Sequence, residues 1–375
     1  SSSGTYTLDQ SVSAIRNCFN ITAPSVTLDC DNNQVTYATT FNGVGVNVSG
    51  FNNIVVQNCL FTSGSSNVQN TAASFTNSNS STFRNNTVIS GTTNGAAYGL
   101  LASNSKILTV TNNSISISDG GDAISVSHSV SGITSSISIT DNRIVSVGAL
   151  NDGHQGIVLS GNILSNTVSN NNIRTDCSGG CGANHGIWLL SVSSSTIDNN
   201  IIVTNGTDPE NTGIYLQGSL GTSNFVRGNR ITTGGRNNAS NNYGIQVDSG
   251  AGQTISNNII TTDGFANNSG IFLNAAGSAT VSNNTVISNG NQSHGVHVIG
   301  PSNSNTFTTM NLSASGIGSY GIFLNNGTSQ SFTNTILDEP TNWIFLNESV
   351  GTSLTNTTFS STMSSIRYAG TVGAT

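Results

Sequence analysis

Apolar and polar residues alternate over short stretches along almost the whole chain, as in "VTNNSISIS", "ITDNRIVSV", "IDNNIIVT" and "ISNNIITT". Alternation with a period of two places successive side chains on opposite faces of a strand. The segments align on one Asn, at Asn58, Asn86, Asn113, Asn142, Asn171, Asn200, Asn229, Asn258 and Asn284, and Met310, Thr335 and Thr357 continue the frame. A second mark is Gly followed by apolar, any, apolar: "GIVL" at Gly156, "GIWL" at Gly186, "GIYL" at Gly213, "GIQV" at Gly244, "GIFL" at Gly270, "GVHV" at Gly295 and "GIFL" at Gly321. About three short strands per step of roughly 29 residues is the arithmetic of stacked coils, each strand pairing with its equivalent one coil away. The pattern predicts an all-β fold, a single parallel β-helix of about 12 coils. One domain is expected over 1–375, with an N-terminal cap and first coil in 1–30, repeating coils in 31–359 and a tail in 360–375.

An inward turn Asn can bond to the amide above and below, so the recurring Asn residues are expected to form an internal ladder. Inward hydroxyls at Ser146, Thr175, Thr204, Thr233 and Thr262 are expected to stack in the same way. The stretches "NITAPSVTLDCDNNQVTY" and "GVGVNVSGFNNIVVQNCLF", with the NN-x-I coils, resemble the secreted right-handed parallel β-helix proteins of the pectate-lyase-like superfamily, in particular their NosD-like branch. The resemblance covers nearly the whole chain. It implies the fold, but not an activity, because that superfamily holds lyases, glycoside hydrolases, tailspikes, adhesins and non-enzymatic surface proteins. The copper association of some NosD-like relatives is not carried over, because Met and His clusters suited to copper are missing.

Composition narrows the function. Charged residues make up 7% of the chain, with nine Lys and Arg in all and a formal charge of −7. Phosphate recognition needs clustered basic side chains, so nucleic acid is not an expected partner. No apolar run is long enough to span a membrane. Acceptor sequons at Asn20, Asn205, Asn238, Asn267, Asn291, Asn326 and Asn347, and the opening at Ser1, fit a secreted, extracellular or cell-surface protein. The close pair Cys177 and Cys181 reads as a loop-closing disulfide in an oxidising compartment. Cys30 can pair with Cys18 across the first coil or with Cys59, 29 residues on.

A glycosidase of this architecture needs paired carboxylates, and a lyase needs a base and acidic cation ligands. The best enzymatic cluster is Asp119, Asp122, Asp152 and His154, in "SDGGDAISV" and "NDGHQG". The first of these is faintly similar to the aspartate-pair motif of polygalacturonases, but Gly121 stands at one of the paired positions, and the Gly-His-Gly and Arg-Ile-Lys signatures are absent. His294 and His297 read as a surface pair, so no metal and no cofactor is expected.

Two surface features carry more weight. The longest loops fall between the Asn strand and the Gly anchor, with Asp119, Asp122, Asp152, Asp176, Asp208, Glu210 and Asp263 among them. The middle residue of the Gly-anchor strand should face outward, and there stand Leu101, Ser125, Val158, Trp188, Tyr215, Gln246, Phe272, His297, Phe323 and Phe345. Such an aromatic stripe marks an interaction face. The expected function is a secreted, non-enzymatic solenoid with a structural, adhesive or filament-forming role, self-associating end to end. The alternatives are a polysaccharide-active enzyme and a carbohydrate-binding solenoid, with surface glycans as partner. An ice-binding role is disfavoured because no regular Thr-x-Thr array persists over the coils.

Overall fold

The computed structural model describes residues 2–64, 70–91, 97–118, 120–129, 135–148, 153–161, 163–177, 183–207, 209–218, 223–235, 240–338, 342–360 and 366–369. These form a parallel β-solenoid with no helix among them. The chain divides into two compact units, residues 1–187 and 188–375. Each unit is built the same way. Every coil contributes one strand to each of three parallel sheets, here called A, B and C, in chain order.

In the first unit sheet A runs through Ser81–Arg84, Ile107–Thr111 and Ser136–Thr140, and sheet B through Thr87–Gly91, Ser114–Ser118 and Arg143–Gly148. In the second unit sheet A includes Thr254–Ser256, Thr280–Ser282, Thr306–Thr308, Ser331–Thr333 and Ser353–Thr355. Sheet C of that unit includes Ile214–Gln217, Ile245–Asp248, Ile271–Asn274, Val296–Asn303, Tyr320–Thr328 and Asn342–Asn347. Inward side chains stack in columns. Val226, Ile255, Val281, Phe307 and Phe332 share one register and are all buried. The Phe307 and Phe332 rings lie parallel, 4.3 Å apart.

The doubled Asn of the repeat does two jobs. The first residue of each doublet, Asn85, Asn112, Asp141, Asn170, Asn199, Asn257 or Asn283, has positive φ and turns the chain. Asn and Asp tolerate that left-handed conformation better than other side chains with a Cβ. The second is buried and builds the ladder. Asn86 Nδ2 donates to Asn113 Oδ1 (3.1 Å), Asn113 to Asn142 (3.0 Å) and Asn142 to Asn171 (3.0 Å). In the second unit Asn200 donates to Asn229 (3.0 Å), Asn229 to Asn258 (3.0 Å) and Asn258 to Asn284 (2.9 Å). Asn58 is a correction. Leu60 pairs with Thr87, which aligns Asn58 with the left-handed Asn85 and gives the ladder position to Cys59. The Cys59 N–H then donates to Asn86 Oδ1 at 3.0 Å.

Cys59 also closes a disulfide with Cys30, because 29 residues bring the chain once around. Cys18 is therefore free, its half-buried thiol pushed up by burial. Cys177 is disulfide-bonded, and Cys181 lies outside the described residues. The inward hydroxyls stack in register as expected, Ser146 with Thr175 and Thr204 with Thr233 and Thr262, but those of Ser146, Thr204, Thr233 and Thr262 bond to backbone rather than to each other. Thr204 Oγ1 donates to Asn211 O (3.0 Å) and Thr233 Oγ1 to Asn242 O (3.2 Å), which pins the loop before each Gly anchor.

A second ladder stands two residues before the anchors, where Asn211 Nδ2 donates to Asn242 Oδ1 (2.7 Å) and Asn242 Nδ2 to Asn268 Oδ1 (2.9 Å). The anchors themselves are tight spots. A Cβ on Gly244 would lie 2.2 Å from Ile260 Cγ2 and 2.6 Å from Gly270 O, so only glycine lets the coils approach.

Candidate functional site

Of the proposed carboxylate cluster, Asp119 and Asp152 lie outside the described residues. Asp122 follows Gly120 and Gly121, whose φ values of 97° and 102° bend the chain into sheet C. Its carboxyl accepts hydrogen bonds from the Ser125 hydroxyl and the Gln155 N–H, yet burial dominates and pushes its pKa up to about 7. His154 is not a solvated loop residue. It fills the turn position two before Gly156, is fully buried, and donates its backbone N–H to Asn184 Oδ1 at 3.3 Å. Its ring sits against Gly148, where a Cβ would fall 1.7 Å from Nε2. Beside it, Gln155 Oε1 accepts from the His185 N–H at 2.6 Å, and burial lowers the pKa of His185 to about 3. The sequence reading missed Gln155 and His185. Asp176 is not on a loop as the sequence placed it: it stands buried in the strand Asn172–Cys177 and is ion-paired with Arg174 at 2.8 Å.

These shifts have a sign. Asp122 is protonated in the folded chain up to about pH 7 and in the unfolded chain only to about pH 4. Its contribution is therefore present at low pH and lost as pH rises through that window. Asp122→Asn should raise the urea midpoint at about pH 8 by the equivalent of a few kcal/mol, and leave it nearly unchanged near pH 4. Equal effects at both pH values would show that the carboxyl is not held protonated.

The richer site lies in the second unit, on the outer face of sheet C. Tyr215, Gln246, Phe272, His297, Phe323 and Phe345 occupy one register position on successive strands, as the alternation predicts. The first unit aligns Leu101, Ser125 and Val158 in the same way. The stripe is less open than expected. Phe272 is buried because the Tyr243 ring stacks on it at 4.5 Å. Val158 is buried as well. Other rings stack on one another, Trp188 on Tyr215 with planes 5° apart and Phe323 on Phe345 with planes 12° apart.

Polar groups line this row. Tyr215 donates its hydroxyl to Asp248 Oδ2 (2.6 Å), and Gln246 Nε2 donates to the same oxygen (2.8 Å). Thr212 Oγ1 donates to Gln246 Oε1 (3.1 Å), and Trp188 Nε1 to Gln217 Oε1 (3.2 Å). Burial first, then the bond to Asp248 and the charges of Asp248 and Glu210, push the Tyr215 hydroxyl far up, so it stays a neutral donor. Gln217 and Asp248 end their strands on the outward phase of the alternation, a signal the sequence reading passed over.

Further along, a cavity of about 420 Å³ is lined by Asn267, Gln292, His294, His297, Tyr320 and Phe323. The two histidines are not a surface pair. His294 is 4% exposed, its ring 4.7 Å from that of His297 and 4.4 Å from that of Phe323. The Tyr320 N–H donates to His294 Nδ1 at 3.2 Å. A backbone amide can only donate, so the imidazole proton of His294 sits on Nε2. Burial lowers both histidines, His297 to about 3, and keeps them neutral at ordinary pH. No group of three metal-ligating side chains occurs among the described residues. Of the sequons, Asn20 and Asn326 are exposed, Asn205, Asn267, Asn291 and Asn347 half-buried, and Asn238 is outside the described residues.

A family model described as the right-handed beta helix region matches residues 182–312. No sequence among curated proteins matches. The chain is similar in structure to tailspike protein 3 of bacteriophage CBA120, at 11% identity and a TM-score of 0.47, covering 97% of this chain and 55% of that one. It thus spans about half the length of that tailspike. It is also similar to the A-module of the mannuronan C-5 epimerase AlgE4 of Azotobacter vinelandii, at 13% identity and a TM-score of 0.47, covering 93% and 90%. A hexasaccharide complex of the tailspike of E. coli bacteriophage HK620 matches at 12% identity and a TM-score of 0.38, covering 99% and 72%. The parallel β-helix expected from the repeat, right-handed as the resemblance implies, is the fold of this protein.

Proposed function

We propose that this protein is an extracellular solenoid that binds uncharged glycans on the outer face of sheet C in its second unit. The carrying observation is the cavity beside the aromatic row. A pyranose has apolar C–H faces and a hydroxyl rim, and the cavity sets the Phe323 ring beside the Asn267 and Gln292 amides and the His294 Nε2 donor. No charged side chain lines it. The Cys30–Cys59 disulfide supports an oxidising compartment. On this reading the chain holds a glycan and cleaves nothing, and adhesion to a glycan-bearing surface is its use. End-to-end self-association remains a separate proposal.

The test is affinity electrophoresis against neutral and acidic polysaccharides. Retention by a neutral glycan should fall at least about tenfold in Phe323→Ala and in Trp188→Ala, the loss expected when a well-packed aromatic anchor is removed. It should stay flat between about pH 5 and about pH 8, because neither imidazole gains charge there. Retention that survives both substitutions would remove this face from the account. An enzymatic reading is favoured by one observation, the protonated carboxyl of Asp122, and would show as glycan turnover lost in Asp122→Asn.

A further inference from the structure

The outer face of sheet A in the second unit carries a different pattern. Thr254 and Ser256, Thr280 and Ser282, Thr306 and Thr308, Ser331 and Thr333, and Ser353 and Thr355 stand on five successive strands. They pair one to one without a register shift. The inward residue between each pair is Ile255, Val281, Phe307, Phe332 or Leu354, so both hydroxyl residues of each strand face outward. The result is a lattice of two columns and five rows. Rows repeat about every 4.8 Å and the columns lie about 6.7 Å apart, over a length of about 19 Å.

Three further observations describe this plane. None of the ten side-chain hydroxyls makes a hydrogen bond to another described residue. The segments that carry them, 252–257, 278–283, 304–309, 329–334 and 351–356, contain no charged residue. Both rims are turn residues with positive φ, such as Gly252, Ser278, Ser304 and Ser329 on one side and Asn257, Asn283, Thr309 and Asn334 on the other. The first unit sets outward hydroxyls on three strands in the same way, in Thr109 and Thr111, Ser138 and Thr140, and Thr167 and Ser169, although there Thr140 Oγ1 donates to Thr111 Oγ1 at 3.0 Å. The sequence obscures the array because Ser alternates with Thr, so a search for Thr-x-Thr by letter fails while the hydroxyl pattern persists.

We propose that this face binds the surface of crystalline water. Each hydroxyl both donates and accepts, as each lattice water does, so a neutral plane of free hydroxyls is chemically matched to a neutral lattice of waters. Ordinary ligands with charge find no counter-charge here. A glycan sheet finds no ring to stack on across these five rows, since the aromatic residues at Phe307 and Phe332 point inward. Periodicity matters because a regular solid can meet all rows at once. The six threonines add stiffness. A β-branched side chain has few χ1 wells, and the flat stacked backbone fixes its position, so little freedom is lost on contact with a solid. Each threonine also brings a methyl group to the face, which limits the loosely held water that a lattice would have to displace.

The experiment is microscopy of single ice crystals growing in the purified full chain, with thermal hysteresis measured on the same sample. Faceted crystals and a gap between melting and growth temperatures are expected. Thr306→Tyr with Thr308→Tyr should abolish both, because two rings in the central row hold the plane away from the solid. Ser331→Thr with Ser353→Thr should widen the gap, and this gain does not depend on a damaged fold. Phe323→Ala, on sheet C, should change neither, so failure here and failure of the glycan reading are separate results. Unshaped crystals and no gap at any concentration overturn the proposal. Retention on crystalline cellulose or chitin that the tyrosines abolish, without ice shaping, also overturns it and gives the plane to a polysaccharide.

Discussion

Asn229→Ala should lower the urea midpoint by the equivalent of about 4 kcal/mol, while Asn257→Ala, one coil on and exposed, should cost about 1 to 2 kcal/mol. The difference lies in what each side chain serves. Asn229 Nδ2 donates to Ile197 O (3.0 Å), Arg227 O (3.1 Å) and Asn258 Oδ1 (3.0 Å). Its Oδ1 accepts the backbone N–H and the side-chain amide of Asn200, each at 3.0 Å. Truncation leaves a buried carbonyl and a buried N–H without partners, and each orphan costs about 1 to 3 kcal/mol. Asn257 only supplies a left-handed turn, and alanine there pays the steric cost of that φ alone. Equal losses in the two variants would mean that the ladder is decoration rather than support.

Gly244→Ala should be strongly damaging to the second unit. Its Cβ would meet Ile260 Cγ2 at 2.2 Å and the carbonyl oxygen of Gly270 at 2.6 Å, and the backbone oxygen cannot swing aside. The adjacent coils would have to separate, at a cost of about 3 kcal/mol or more. Gly234→Ala is the control, since the nearest atom to its Cβ is Asn205 Oδ1 at 3.6 Å. That substitution should be neutral or slightly stabilising, because alanine has less freedom to lose on folding. Thermal melts of the two variants decide it, and a Gly244→Ala chain that melts with the parent would show that the coils have slack.

The repeat made the fold readable from one sequence, because a solenoid writes its geometry once per coil. The Asn doublet and the Gly anchor recur often enough to fix strand count, register and inward phase, and the outward row from Tyr215 to Phe345 followed from alternation alone. Single-residue offsets did not follow. Asn58 and Cys59 are both polar enough for the turn, and only pairing shows which of them points inward. The candidate sites were less legible still. His294 and His297 are three apart in sequence, but their burial comes from Tyr320 and Phe323 one coil later. His154 looked like a loop acid–base partner because nothing local reveals that it stands in the turn position of Asn184. The hydroxyl plane was hidden by spelling, since each row is a three-residue strand whose neighbours lie some 22 to 26 residues away.

The ladder also has a direction. Between side chains, Asn200, Asn229 and Asn258 each donate forward along the chain, and Asn229 and Asn258 accept from behind, so their amide dipoles lie head to tail. A row of aligned amides polarises itself, each bond drawing charge from the one before and strengthening the one after. The column ends softly, for Asn284 Nδ2 meets the sulfur of Met310 at 3.7 Å. Position within the column therefore sets the worth of an asparagine. A gap in the middle shortens two polarised runs where a gap at Asn284 trims one, and two gaps in the same column should cost less than the sum of their separate effects.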